Sequence, residues 1–119
     1  MRDMPVITNI IAKKPYKKGR EKMASRGRKM KKLDDTIELI NQHRLSELKD
    51  LHKITKGKYA GNMDCHIEGD WVLIWWYEND KLVLVLVDTG DHQMLFGESF
   101  SYDDDISSMS AYWKHIVLR

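Results

Sequence analysis

The sequence predicts an α+β domain, and three observations carry that prediction. Two strongly apolar runs, WVLIWWY (Trp71 to Tyr77) and LVLVLV (Leu82 to Val87), flank the tetrapeptide ENDK and form a β-hairpin. Just before them Met63 to Glu68 alternates, with Met63, Cys65 and Ile67 on one face and Asp64, His66 and Glu68 on the other. Upstream, apolar residues recur at helical spacing on both sides of a single glycine, Gly27. The expected architecture is an N-terminal strand and a helical hairpin packed on a small, mainly antiparallel sheet, with an additional C-terminal segment.

In chain order, the β-branched PVITNII (Pro5 to Ile11) is a first strand. From Lys14 the pattern turns helical, with Pro15 where a first turn tolerates it, until SRGRK (Ser25 to Lys29) breaks it. A second helix follows, carrying Met30, Leu33, Ile37, Leu39 and Ile40 at helical spacing. NQHRLSELKDLHKITKGKYAG is read as a connection with a helical turn around Ser46 to Asp50 and turns at Gly57 and Gly61. The two apolar strands have no polar side, so each is buried on both faces and the small sheet needs a second cover. The tail YDDDISSMSAYWKHIVLR offers one: Ile106, Met109, Trp113 and Ile116 share a helical stripe behind an acidic N-terminus at Asp103, Asp104 and Asp105. Residues 1–97 are therefore expected to form the main domain and 98–119 a helical extension packed on it.

At 119 residues the chain has room for one core. Its apolar runs fall far short of the ~20 residues that cross a bilayer, so no membrane role is expected. The charged start lacks the apolar centre of a signal peptide, and Cys65 is the only cysteine. Together these lead to the expectation of a cytoplasmic protein without an internal disulfide.

Charge is distributed unevenly. Residues 1–33 hold twelve basic side chains, among them Lys13, Lys14, Lys17, Lys18, Arg20, Arg26, Arg28 and Lys29, against only Asp3 and Glu21. That segment carries +10 within a chain of net +2, which leaves −8 for the remainder. Such a block fits a polyanion such as RNA. A solvated helix face and an acidic protein partner fit the same charge.

Chemistry-bearing residues crowd the ends of the apolar strands: His52, Asp64, His66, Asp70, Asp88 and His92, with Lys56 and Lys58 on the adjoining loop. Glycine-rich phosphate loops, a Ser-His-Asp signature and paired cysteines are all missing. The set suits acid–base cleavage of RNA through its own 2′-OH, which needs a base for the hydroxyl, an acid for the departing 5′-oxygen and positive charge for the phosphorane. The plainer reading makes them solvated strand-end and loop residues. A third makes Asp64, His66, Asp70, Asp88 and His92 ligands of a divalent cation.

The stretch from Asp64 to Gly97 resembles the YafQ branch of the RelE/ParE-type bacterial toxins. The branch shows D-x-H-[IV]-x-x-D-W-[IL]-L-I-Y and, after a hairpin, R-T-G-[ST]-H-x-x-L-F-G; Asp64, His66, Ile67, Asp70, Trp71, Val72, Leu73 and Ile74 correspond to the first part, and Thr89, Gly90, His92, Leu95, Phe96 and Gly97 to the second. SRGRKMKKLDDTIELI is similar to the family's helical hairpin.

The resemblance implies a small α/β toxin that enters the ribosomal A site, cuts mRNA without a metal or other cofactor, and is silenced by a cognate antitoxin. It implies that His92 is the general acid, that Asp70 and His66 position the 2′-OH or share the base role, and that Phe96 packs on a nucleobase. His52 stands one residue out of register with the family's histidine. Asp64, Lys56, Lys58, Trp71 and Lys81 are expected to line the substrate, and the basic first helices to contact RNA or ribosome. One departure matters: Asp88 stands where the family has arginine, a natural phosphate clamp. Either another cation substitutes, from Lys56, Lys58, Lys81 or the tail's Lys114, His115 and Arg119, or the protein binds without cutting.

Overall fold

The computed structural model describes residues 9–97. Pro5 to Thr8 of the expected first strand and the whole of the expected C-terminal helix lie outside the described residues. Strand β1 (Asn9–Ala12) leads into α1 (Lys14–Ser25) and α2 (Met30–Asn41), and a single 3-10 turn (Leu45–Glu47) precedes β2 (Lys49–Lys53). Then come β3 (Met63–Glu68), β4 (Trp71–Glu78), β5 (Val83–Asp91) and the short α3 (His92–Phe96). The sheet order is β1-β5-β4-β3-β2, with β1 parallel to β5 and all other pairs antiparallel. None of the described helices is long and apolar enough to cross a membrane.

The helical hairpin forms where glycine spacing requires it. Gly27 has φ +86°, and α1 ends in two bonds, Gly27 N–H to Ala24 O and Arg28 N–H to Met23 O. This is a Schellman close, which a glycine completes without a Cβ penalty. It turns the chain so that Tyr16 and Met23 of α1 and Leu33 and Ile40 of α2 face the same side of the sheet. There they bury Cys65, Trp71, Leu73, Trp75, Leu84 and Leu86, each such large side chain contributing about 2 kcal/mol in transfer free energy. The alternation of β3 holds: Met63, Cys65 and Ile67 enter this core.

The opposite face is covered as well, by residues within the described segment. Ile54 and Tyr59, from the segment expected to be a plain connection, join Leu95 of α3 over Val72 and Ile74, with Val87 and Phe96 packed alongside. The expected helical turn around Ser46 is present as the 3-10 turn Leu45–Glu47, but from Lys49 the segment forms β2 instead. KDLHK is short and polar because it is an edge strand with one buried side chain, Leu51.

Candidate functional site at the sheet rim

The rim is assembled by the residues around the T-G-D-H sequence. Thr89 is fully buried; its Oγ1 accepts from Trp71 Nε1 at 3.0 Å and donates to Val72 O at 2.8 Å. Gly90 lets α3 fold back onto the sheet, since a Cβ there would stand 3.0 Å from Met94 Cε and 3.5 Å from Leu95 Cδ2. Asp91 caps α3, its carboxylate accepting from Met94 N–H at 2.8 Å. That bond, reinforced by Arg26 at 2.9 Å, holds the Asp91 carboxyl below the usual carboxylate range. His92 opens the helix, and its backbone N–H donates to Asp70 O in the β3–β4 turn. One turn later Phe96 sets its ring 4.8 Å from the His92 ring.

From the other side β2 and β3 supply two more imidazoles. His52 faces Asp64 across the strands, with Nδ1 3.6 Å from the fully buried carboxylate. His66 Nδ1 lies 3.0 Å from Asp50, which occupies a left-handed position (φ +47°) where the β2–β3 register slips. Burial pushes the His92 imidazole below its ordinary value, and the charge of His66 acts the same way, while Asp64, Asp70 and Asp91 oppose it. His92 thus lies within electrostatic reach of His66, Asp64 and Asp70. Direct contacts join His52 to Asp64, His92 to Phe96 and the His92 backbone to that of Asp70, with His66 in electrostatic range of His92.

Other expected residues lie elsewhere. Trp71 is completely buried and faces the helical core, bonded to Thr89 with the Arg28 guanidinium 5.6 Å above its ring, so it supports the rim from beneath rather than lining it. Asp64 is likewise buried and holds His52. Lys81 belongs to the β4–β5 turn, at the end of the hairpin opposite the Trp71–Asp91 pair, roughly 23 Å away at ~3.3 Å per residue. It cannot reach a linkage held at His92. Lys56 and Lys58 are exposed on the 54–62 loop, and Lys58 Nζ lies 5.1 Å above the Tyr59 ring. Asp88 accepts from the Tyr59 hydroxyl and from Thr89 N–H. It stands two strands from Asp64, about 10 Å across the sheet. The five-residue cation site therefore does not assemble, and among the described residues no three His, Cys, Asp or Glu side chains gather as a metal-binding group.

The basic block divides in two. Arg20 holds Asp34 with two bonds of 2.8 and 3.2 Å, Arg26 holds Asp91, and Arg28 reaches Asp70 at 3.3 Å and Glu68 at 3.7 Å. These arginines lock the helical hairpin to itself and to the rim. Lys13, Lys14, Lys17, Lys18 and Lys29 remain exposed. Asp50, Tyr59 and Asp91 are site residues that sequence reasoning missed. Of these only Asp91 carried a signal, as an aspartate directly before a short helix.

A helical hairpin on one face of a five-stranded sheet and an imidazole-bearing rim on the other define a RelE-like toxin architecture. The comparisons narrow the class. A family model described as a bacterial toxin of type II toxin-antitoxin systems, YafQ, matches residues 8–97, and the chain belongs to that family. YafQ from E. coli strain BL21(DE3) is similar at 26% identity and a TM-score of 0.66, over 74% of this chain and 97% of that one. The E. coli DinJ-YafQ toxin-antitoxin complex matches at 29% identity and a TM-score of 0.64, over 74% and 96%. A copper-bound mutant toxin from Helicobacter pylori matches at 25% identity and a TM-score of 0.62, over 74% and 98%. None of the curated proteins matches the chain.

Proposed function

We propose that this toxin is a ribosome-dependent endoribonuclease of the cytoplasm that cuts mRNA by acid–base chemistry through the 2′-OH, and that a cognate antitoxin protein neutralises it. Residues 1–97 form the toxin domain and 98–119 an extension to it. The reading is supported by His66 and His92 lying within electrostatic range of one another, His66 beside Asp50 and His92 near Asp64, Asp70 and Asp91.

In the proposed reaction the 2′-oxygen attacks the adjacent phosphorus. The P–O2′ bond forms, the P–O5′ bond breaks, and the products are a 2′,3′-cyclic phosphate and a 5′-hydroxyl. His66, oriented through its Nδ1 by Asp50, takes the 2′-OH proton, with Asp70 positioning the hydroxyl. His92 donates the proton to the leaving 5′-oxygen, and Phe96 stacks on a base. An acid or base so placed contributes ~100- to 10,000-fold. The partnership with an antitoxin is supported by the E. coli complex, in which a family member is paired with DinJ.

The test is induction of the chain in growing cells, with primer extension on mRNA. Growth arrest and codon-phased cuts are expected, and His92→Ala abolishes both. Undiminished cutting by that variant would remove the acid from the scheme. Asp88 favours a second reading, in which a carboxylate at the family's arginine position leaves a protein that binds its target without cutting. Salt-sensitive association with purified ribosomes and intact message would select it.

A further inference from the structure

Asp88 reverses the charge of the family motif at one position, yet its surroundings are strongly positive. Gly19 of α1 lies so close to β5 that a Cβ would stand 2.0 Å from Thr89 O and 3.3 Å from Asp88 Oδ1. This close approach sets Lys18 and Lys22, the exposed neighbours of that face, beside Asp88. Lys58 arrives from the opposite bank, next to Tyr59. Between them is a cleft of about 270 Å³ with Asp88 and Thr89 in its lining. Three lysines thus line the cleft that holds this carboxylate, which is itself engaged by the Tyr59 hydroxyl and the Thr89 N–H.

The cleft adjoins the helix that carries part of the rim. Met94 and Leu95 of α3 form its far wall, and the same helix carries His92 and Phe96. The Tyr59 and Phe96 rings meet edge-on at 6.0 Å, so an aromatic bridge joins the lysine cleft to the imidazole.

Resting on the endoribonuclease reading, we propose that this cleft binds an RNA phosphate adjoining the linkage at His92, through Lys18, Lys22 and Lys58. In this arrangement Asp88 is a positioning residue that fixes Tyr59 and, through it, the bank bearing Lys58. The motif's positive charge has moved from the strand to the helix and loop facing it. An RNA phosphate suits the cleft better than a protein carboxylate because the half-buried Phe96 ring, against Tyr59 on one side and His92 on the other, can stack on a neighbouring base.

Fluorescence anisotropy of the full chain with a labelled, uncleavable 2′-O-methyl single-stranded RNA tests this. Lys22→Ala/Lys58→Ala should weaken binding about tenfold at low salt and lower the slope of log K against log salt by about 0.7, one phosphate contact. Lys31→Ala/Lys81→Ala removes the same charge at remote positions and should have at most a twofold effect. Arginine at both cleft positions should restore binding, and Tyr59→Phe should weaken it with every lysine in place.

Equal losses in the two alanine doubles would overturn the phosphate site while leaving the nuclease reading intact. Unchanged RNA binding with weakened antitoxin capture would assign the cleft to the protein partner and overturn the proposal. No RNA binding by the parent chain at low salt would instead count against the nuclease reading itself.

Discussion

The backbone N–H of His92 donates to the backbone carbonyl of Asp70 across 2.9 Å, tying the two halves of the rim by main chain alone. The Asp70 side chain is left outside that tie, largely exposed, with Arg28 as its ion-pair partner. Asp70→Asn should therefore leave the site's architecture standing. An exposed pair of this kind contributes ~0–1 kcal/mol, so melting should shift by only a few degrees. Cleavage should fall at least tenfold if the carboxylate positions the 2′-OH. Thermal melts and single-turnover assays on the same preparation check both statements.

His92 sets the pH dependence. Burial favours its neutral form, so its folded value lies below the ordinary 6.5. The stability this gives is present above pH 6.5 and is lost as pH falls through the lowered folded value. The proposed catalysis runs the other way, because a general acid must carry its proton. kcat/KM should decline with rising pH along a limb whose midpoint lies below 6.5. Melting temperature should rise over the same interval. Parallel profiles from pH 5 to 8 test the pair, and a midpoint above 7 would refute the assignment.

Gly19→Ala should destabilise the fold despite alanine's advantage of about 1 kcal/mol in a helix. The new Cβ would collide with Thr89 O, a backbone atom that cannot rotate away. Overpacking of this kind costs roughly 1–3 kcal/mol, and a domain of this size loses about 4–8 °C per kcal/mol. Calorimetry should show a lower melting temperature, whereas solvent-facing Ala24 tolerates exchange.

Asp91→Ala removes the cap of α3 and the partner of Arg26. Loss of such a cap costs about 1 kcal/mol. The larger effect should be on activity, since α3 carries both His92 and Phe96. Because the Asp91 carboxyl is held below its ordinary 3.8, its contribution is present above that pH and disappears as pH falls through the lowered value. The parent and the variant should therefore converge in stability under strong acid, as denaturant titrations at pH 7 and pH 2 will show.

Asp88→Arg, which restores the family motif, should not raise the proposed cleavage. The Tyr59 hydroxyl would lose its acceptor, at about 1–3 kcal/mol for a buried group, and the arginine would face Lys18, Lys22 and Lys58. A lower melting temperature and no gain in cleavage are expected. Adding Lys58→Asp should recover part of the stability.

What the sequence made legible follows from the range of each signal. The faces of β3 follow from a period of two, and the helical hairpin from its apolar spacing and Gly27. The edge strand β2 was hidden because KDLHK is mostly polar and bends at Asp50. The imidazoles could be listed from the sequence, but not their partners: Asp50 meets His66, and Tyr59 meets Asp88, across strands and loops with no local pattern. The charge count of the first helices could not distinguish cations that meet carboxylates in space from those that do not. Arg20, Arg26 and Arg28 proved to be fasteners, as did Lys31 and Lys32, which pair with Asp35 and Glu68.

The parallel pairing of Asn9 with Val83 has a kinetic consequence. The strand that bears the T-G-D-H sequence is inserted between β1 and β4, so its neighbours come from opposite ends of the described chain. Such long closures raise contact order and slow folding. A nascent molecule with its helices already formed would still lack a seat for the acid, so toxicity should appear as a late and cooperative event in maturation.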